Sequence, residues 1–127
     1  MKKIAFLTLI VCSLLVSLVP GAARAAGGLA LVNSSVQMNF PASLTFSISA
    51  GSDVNIVDIR LHYIVNRMGN ARIVSEIYLP LTPSPRVTAQ WVWDMRKTGG
   101  MPPGSSIDYW WTVLDISGNT LETAPER

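Results

Sequence analysis

From Leu29 onward, hydrophobic and polar residues alternate in short runs separated by Gly, Pro, Asn, Asp and Ser. Helical periodicity is absent. Successive side chains of a strand point to opposite faces, so the pattern predicts strands with one apolar and one wet side. The first run, "LALVNSSVQMNF", is interrupted at Asn33-Ser34-Ser35 and closed by Pro41, which reads as a kinked edge strand. "SLTFSISA" places Leu44, Phe46 and Ile48 on one face and Thr45, Ser47 and Ser49 on the other. "GSD" at 51–53 reads as a turn into the longest run, "VNIVDIRLHYIV". There Val57, Ile59, Leu61, Tyr63 and Val65 are assigned inward, and Asp58, Arg60 and His62 outward.

Gly69-Asn70 supplies a hairpin turn to "RIVSEIYLPL", and Pro83 and Pro85, which donate no ladder hydrogen bond, then stop pairing. "RVTAQWVWDM" aligns Val87, Ala89, Trp91 and Trp93, and "IDYWWTVLD" aligns Ile107, Tyr109, Trp111 and Val113. A tight turn at "ISGN" leads to "TLET", a short last strand that ends before Pro125. Seven strands without an intervening helix predict an all-β fold, an antiparallel seven-stranded sandwich, with a small closed barrel as the alternative. The predicted core is Phe46, Ile48, Ile59, Leu61, Tyr63, Trp91, Trp93, Tyr109, Trp111 and Val113. Trp110 and Trp111 are neighbours and must point apart, so Trp110, with Leu114, is left on the outer face.

The N-terminus changes how the composition is read. Lys2 and Lys3 precede a charge-free, largely apolar run from Ile4 to Val19, followed by Pro20-Gly21 and the small-residue site Ala23-Arg24-Ala25. This is the layout of a cleavable signal peptide over residues 1–25, with a domain at 26–127 that is secreted or held outside the cytoplasm at the cell surface. An uncleaved anchor is the competing reading, since spanning a bilayer takes roughly 17 to 25 apolar residues. It is also the only membrane association expected. A lipoprotein would need a small residue before Cys12, where Val11 stands. The whole chain has 10 Lys+Arg against 8 Asp+Glu; without Lys2, Lys3 and Arg24 the balance is about −1. No basic cluster remains to track a nucleic-acid backbone. Cys12 leaves too, so neither a disulfide nor a thiolate site is expected.

Candidates for chemistry are few. His62 is the only histidine, so a zinc site would have to be built from carboxylates; it is read as an ordinary surface residue. Nucleophilic catalysis lacks a base other than His62, and Gly99-Gly100 precedes two prolines rather than a helix, which excludes a phosphate loop. Asp53, Asp58, Asp94, Asp108 and Asp115 sit at strand ends or on outward faces and are read as turn-forming or solubilising. Asp115 to Asn119 has too few acidic groups for calcium and is read as a turn. The residues describe a module that is not an enzyme, with no cofactor, no metal and no nucleic-acid partner.

The stretch "PPGSSIDYWWTV" followed by "DISGN" resembles the end of a fibronectin type III or immunoglobulin-like domain, in which Pro-Gly precedes a strand starting with a corner tyrosine. Tyr109 matches that tyrosine. The resemblance implies that its hydroxyl bonds to the backbone within Pro103 to Ser106. Over about residues 30 to 124, "DIRLHYIV", "TPSP", "WDMRKTGG", "PPG", "YWWTV" and "SGN" are similar to the N-terminal β-sandwich of secreted bacterial proteins that continue into a zinc peptidase domain of the His-Glu-x-x-His type. This chain holds no such motif, so only the scaffold carries over. A fibronectin-type sheet order implies that Trp110 has Arg60 and His62 as neighbours and that Arg60 stacks on it. The function expected is an exported, non-catalytic spacer or interaction module whose partner is another domain or protein at the cell surface, engaged through Trp110, Arg60 and Leu114. Two alternatives stand beside it: the N-terminal fragment of a secreted zinc metallopeptidase, and carbohydrate binding through Trp110 with Tyr78.

Overall fold

The computed structural model describes residues 28–67 and 71–127; the expected signal peptide and the expected turn at Gly69-Asn70 lie outside the described residues. The described chain is all-β and antiparallel. Its strands are β1 (Ala30–Asn39), β2 (Ser43–Asn66), β3 (Val74–Tyr78), β4 (Ser84–Asp94), β5 (Ser106–Asp115) and β6 (Thr120–Glu122). β1 and β4 flank the first part of β2, β3 and β5 flank its second part, and β6 pairs with β5.

Two runs expected as separate strands are therefore one. "GSD" does not end pairing: Gly51 still pairs with Ala30 and Arg86, but the register with β4 then jumps to Ile56 opposite Ser84. A residue without a side chain at such an irregularity lets the strand bend without leaving the sheet. The bend is large. Phe46 and Tyr63 would lie about 56 Å apart in a straight strand at roughly 3.3 Å per residue, yet both rings centre within 6 Å of Trp91, at 5.8 and 5.6 Å. β2 thus doubles back, and the sheet curls around its own apolar side.

Inside the curl, Leu44, Phe46 and Ile48 of β2 meet Ile59 and Leu61 from the same strand, Trp93 of β4, and Tyr109, Trp111 and Val113 of β5 in one buried cluster. Tyr63 and Trp91 are partly buried against it. Aromatic contacts bridge the parts: Tyr109 meets Phe46 edge-on at 5.3 Å, and Tyr63 touches Trp93 at 5.4 Å. Val57, assigned inward from the sequence, gives its place to Ile56. The register with β5 slips between Ile56 and Asp58, leaving Val57 as the extra residue, while Ile56 is fully buried. A similar slip makes Val32 the odd residue of β1, so the kink lies slightly before the Asn33-Ser34-Ser35 expected to cause it.

The end of the chain pairs further than "TLET" suggested. The Thr123 amide donates to the Trp111 carbonyl at 3.0 Å, and beyond Pro125 the Glu126 and Tyr109 backbones exchange bonds of 2.8 and 2.9 Å. Between them the Thr123 hydroxyl accepts the Trp111 amide at 3.0 Å, a side chain standing in where regular pairing lapses.

Candidate functional site on the outer face

The register of β3, β2 and β5 decides which side chains meet on the solvent side. Arg60 lies between Tyr78 and Thr112, His62 between Glu76 and Trp110, and Ile64 between Val74 and Asp108. Directly opposed side chains in antiparallel strands are nearest neighbours. Hence it is His62, not Arg60, that stacks on Trp110, with ring centres 5.3 Å apart and planes 11° from parallel. Arg60 instead sits over Tyr78, with its Cζ 4.9 Å from the ring centre. The expected Arg60–Trp110 stack is corrected on this point. The reason is electrostatic as well as geometric: Asp58 accepts from Arg60 Nε at 2.6 Å and Glu76 lies 3.7 Å from its Nη1, which draws the guanidinium to the β3 side. The hydrogen bond to Asp58 is the main reason the Arg60 pKa lies above its ordinary value. The Tyr78 pKa is raised as well, chiefly by the neighbouring Glu76 carboxylate.

His62 is more enclosed than an ordinary surface residue, its side chain only 13% exposed. Its Nε2 lies 2.9 Å from Thr112 Oγ1 and its Nδ1 3.5 Å from Glu76 Oε2. The series hydroxyl, imidazole, carboxylate has the reach of a nucleophile-and-base set. Thr112 itself is paired with Arg60 on one side and Glu122 on the other. The arrangement fixes the imidazole and presents two aromatic rings, a guanidinium and a carboxylate side by side on the outer face.

Leu114 shares this face but is not part of the cluster. It lies opposite Asp58 and Thr120, four residues along β5 from Trp110 and thus about 13 Å away. Tyr109 faces the core, and its hydroxyl donates to the Glu126 carboxylate rather than to the backbone of Pro103 to Ser106. Pairing of Glu126 with Tyr109 brings the two side chains together, so the tyrosine pins the end of the chain instead of the preceding loop. Burial, and then this bond, push the phenol up to about 12.

Two acids prove to be structural anchors. Asp108 is buried and accepts from Arg127 Nε at 2.7 Å, Asn66 Nδ2 at 2.7 Å and Arg72 Nη2 at 3.3 Å; the Arg127 bond is the first cause of its lowered pKa. Asp115, also buried, accepts from Ser52 Oγ, from the amides of Ser117 and Asn119, and from Asn119 Nδ2. Its oxygens thus close the "ISGN" turn, where Gly118 takes a φ of 85° that favours glycine. Among the described residues, no group of three or more His, Cys, Asp or Glu is placed to hold a metal ion. Sequence reasoning missed Thr112, Glu76 and the depth of Asp108, because only the cross-strand register brings them to His62 and Arg127. No protein-family model matches the chain, and comparison with curated proteins finds no match.

Proposed function

We propose that the chain is an exported, non-catalytic β-sandwich module of the fibronectin type III or immunoglobulin kind, which binds another domain or protein at the bacterial cell surface through the outer face of β3, β2 and β5. The sandwich reading is supported by the pairing order. With β2 divided at its bend, the strands count as seven, three paired around its first part and four ranged across its second. The observation that carries the binding reading is the fixed cluster of His62, Trp110, Arg60, Tyr78 and Glu76, whose rings and charges are held in place by one another before any partner arrives. Groups ordered in advance lose little entropy on binding, and Tyr, Trp and Arg carry much of the energy at protein interfaces.

The test is photo-crosslinking in a bacterium that exports the chain. A photoreactive residue at Tyr78 should give adducts, while one at Val92, exposed on the outer side of β4, should not. Equal labelling at both positions, or none at Tyr78, rejects this face as the binding surface.

A further inference from the structure

An edge strand with free backbone groups invites another strand, and proteins guard such edges with charge, proline or brevity. Three edges here are guarded. β3 has five residues and Glu76, β6 has three and Glu122, and β4 carries Pro85, Arg86 and Asp94. β1 is different: apart from the irregularity at Val32 its ten residues, "ALVNSSVQMN", carry no such guard, with no charge and no proline, and among the described residues it pairs only with β2, in unbroken register from Asn33 to Asn39.

The space below this edge is open as well. Val36 and Met38 lie opposite Phe46 and Leu44 and share their inward face, yet they are 37% and 67% exposed. Across from them lie Ile107 and Tyr109 of β5 and, beyond β6, Glu126 and Arg127, with open space between. A groove of about 540 Å³ results, with Val36, Met38 and Phe46 on one wall and Met101, Ile107 and Tyr109 on the other. The charged residues lining it, Glu126 and Arg127, are already engaged by the Tyr109 hydroxyl and the Asp108 carboxylate. A charged side chain entering the groove would therefore lose its hydration without gaining a partner.

We infer that β1 and this groove accept a strand. The occupant is an extended, uncharged segment of a partner protein with apolar side chains at every second position. Its backbone pairs with the free edge of β1, and its alternate side chains enter the groove, as in other cases of strand addition. With Glu126 and Arg127 already paired, the lining selects an uncharged segment, and its Val36, Met38, Phe46, Met101 and Ile107 side chains select apolar ones. A second copy of the chain fits less well, since its own β1 would bring Ser34 and Ser35 to the centre of the pair. This acceptor edge is separate from the His62–Trp110 face and does not depend on the reading of that face.

The experiment is an NMR titration of the full chain with acetyl-(Thr-Val)5-amide, using acetyl-(Thr-Asp)5-amide as the charged control. Amide shifts are expected along Val32 to Asn39 and at Ile107 and Tyr109. Met38→Lys should weaken binding at least about tenfold, because it buries a charge without a partner, while Met38→Leu should bind as the wild type does. Where Met38→Lys lowers the thermal midpoint, Met38→Ser takes its place, with a smaller loss of affinity expected. Absence of shifts at β1, shifts confined to β3 or β4, or equal binding of the charged peptide would overturn the inference. A concentration-dependent dimer that Met38→Lys dissociates would overturn it in favour of self-pairing.

Discussion

His62 and Trp110 form a parallel ring pair on the outside of the sheet, with both imidazole nitrogens within reach of a second residue, Thr112 at Nε2 and Glu76 at Nδ1. The pair follows from register alone, because Leu61 opposite Trp111 forces His62 opposite Trp110. Burying one tryptophan thus selects the partner of the other.

A stacked pair of this kind contributes about 0.5 to 1.5 kcal/mol beyond its buried area. A double-mutant cycle of His62→Ala and Trp110→Ala, read by urea unfolding, should return a coupling in that range. Additivity to within about 0.3 kcal/mol would mean that the rings merely sit side by side.

Trp111 is fully buried, and its indole Nε1 donates to Ser34 Oγ at 3.2 Å, tying β5 to β1 across the curl. Trp111→Ala should cost roughly 3 to 5 kcal/mol, seen as a lower urea midpoint with an unchanged slope. An unmoved midpoint would remove Trp111 from the core. Trp110→Ala, on the outer face of the same strand, should cost less.

How much of this was legible in the sequence depends on the distance over which each signal acts. Alternation is local, and it assigned Phe46, Ile59, Leu61, Trp111 and Val113 to the inside, where they are. It failed at Val57, because a one-residue slip against β5 reverses the faces there and leaves no trace in β2's own pattern. It divided β2 at "GSD", since glycine, serine and aspartate mark turns and sharp strand bends alike. The outer-face cluster was half legible: Trp110, Arg60 and His62 were placed on the correct side, but whether Arg60 meets Trp110 or Tyr78 depends on a register that joins residues far apart in sequence. The Tyr109–Glu126 bond was hidden for a similar reason. Pro125 suggested that pairing stops, whereas the chain resumes it one residue later.

Acid should weaken the fold through Asp115. Burial alone would raise its pKa, but the hydrogen bonds from Asn119, Ser52 and Ser117 outweigh burial, and the carboxyl is held below its ordinary value. Its folded pKa therefore lies below the unfolded value of about 3.9, so the stability it contributes is complete above that pH and is lost as pH falls toward the folded pKa. Asp108, held low first by Arg127, acts in the same direction. The urea midpoint of the wild type should drop steeply below about pH 4. Asp115→Asn should lower the midpoint at neutral pH and flatten the acid limb, leaving the slope that Asp108 and Asp94, held low by Arg127 and Arg96, supply. An acid limb as steep in Asp115→Asn as in the wild type would show that this carboxylate is not held by its turn.

The alkaline limb belongs to Tyr109. Burial and the bond to Glu126 raise its phenol from 10.0 to about 12, so the folded state favours the protonated form. With the folded pKa above the unfolded one, the contribution to stability is complete below about pH 10 and disappears as pH climbs toward 12. Tyr109→Phe keeps the ring against Phe46 but gives up the donor to Glu126. It should be less stable than the wild type at neutral pH, and the difference in urea midpoint should shrink from about pH 10 upward, as the wild type loses what the variant never had. A midpoint difference that stayed constant to the alkaline end of the titration would mean that the phenol is not held protonated against Glu126, and the end of the chain would then rest on its backbone bonds to Tyr109 and on the Arg127–Asp108 pair.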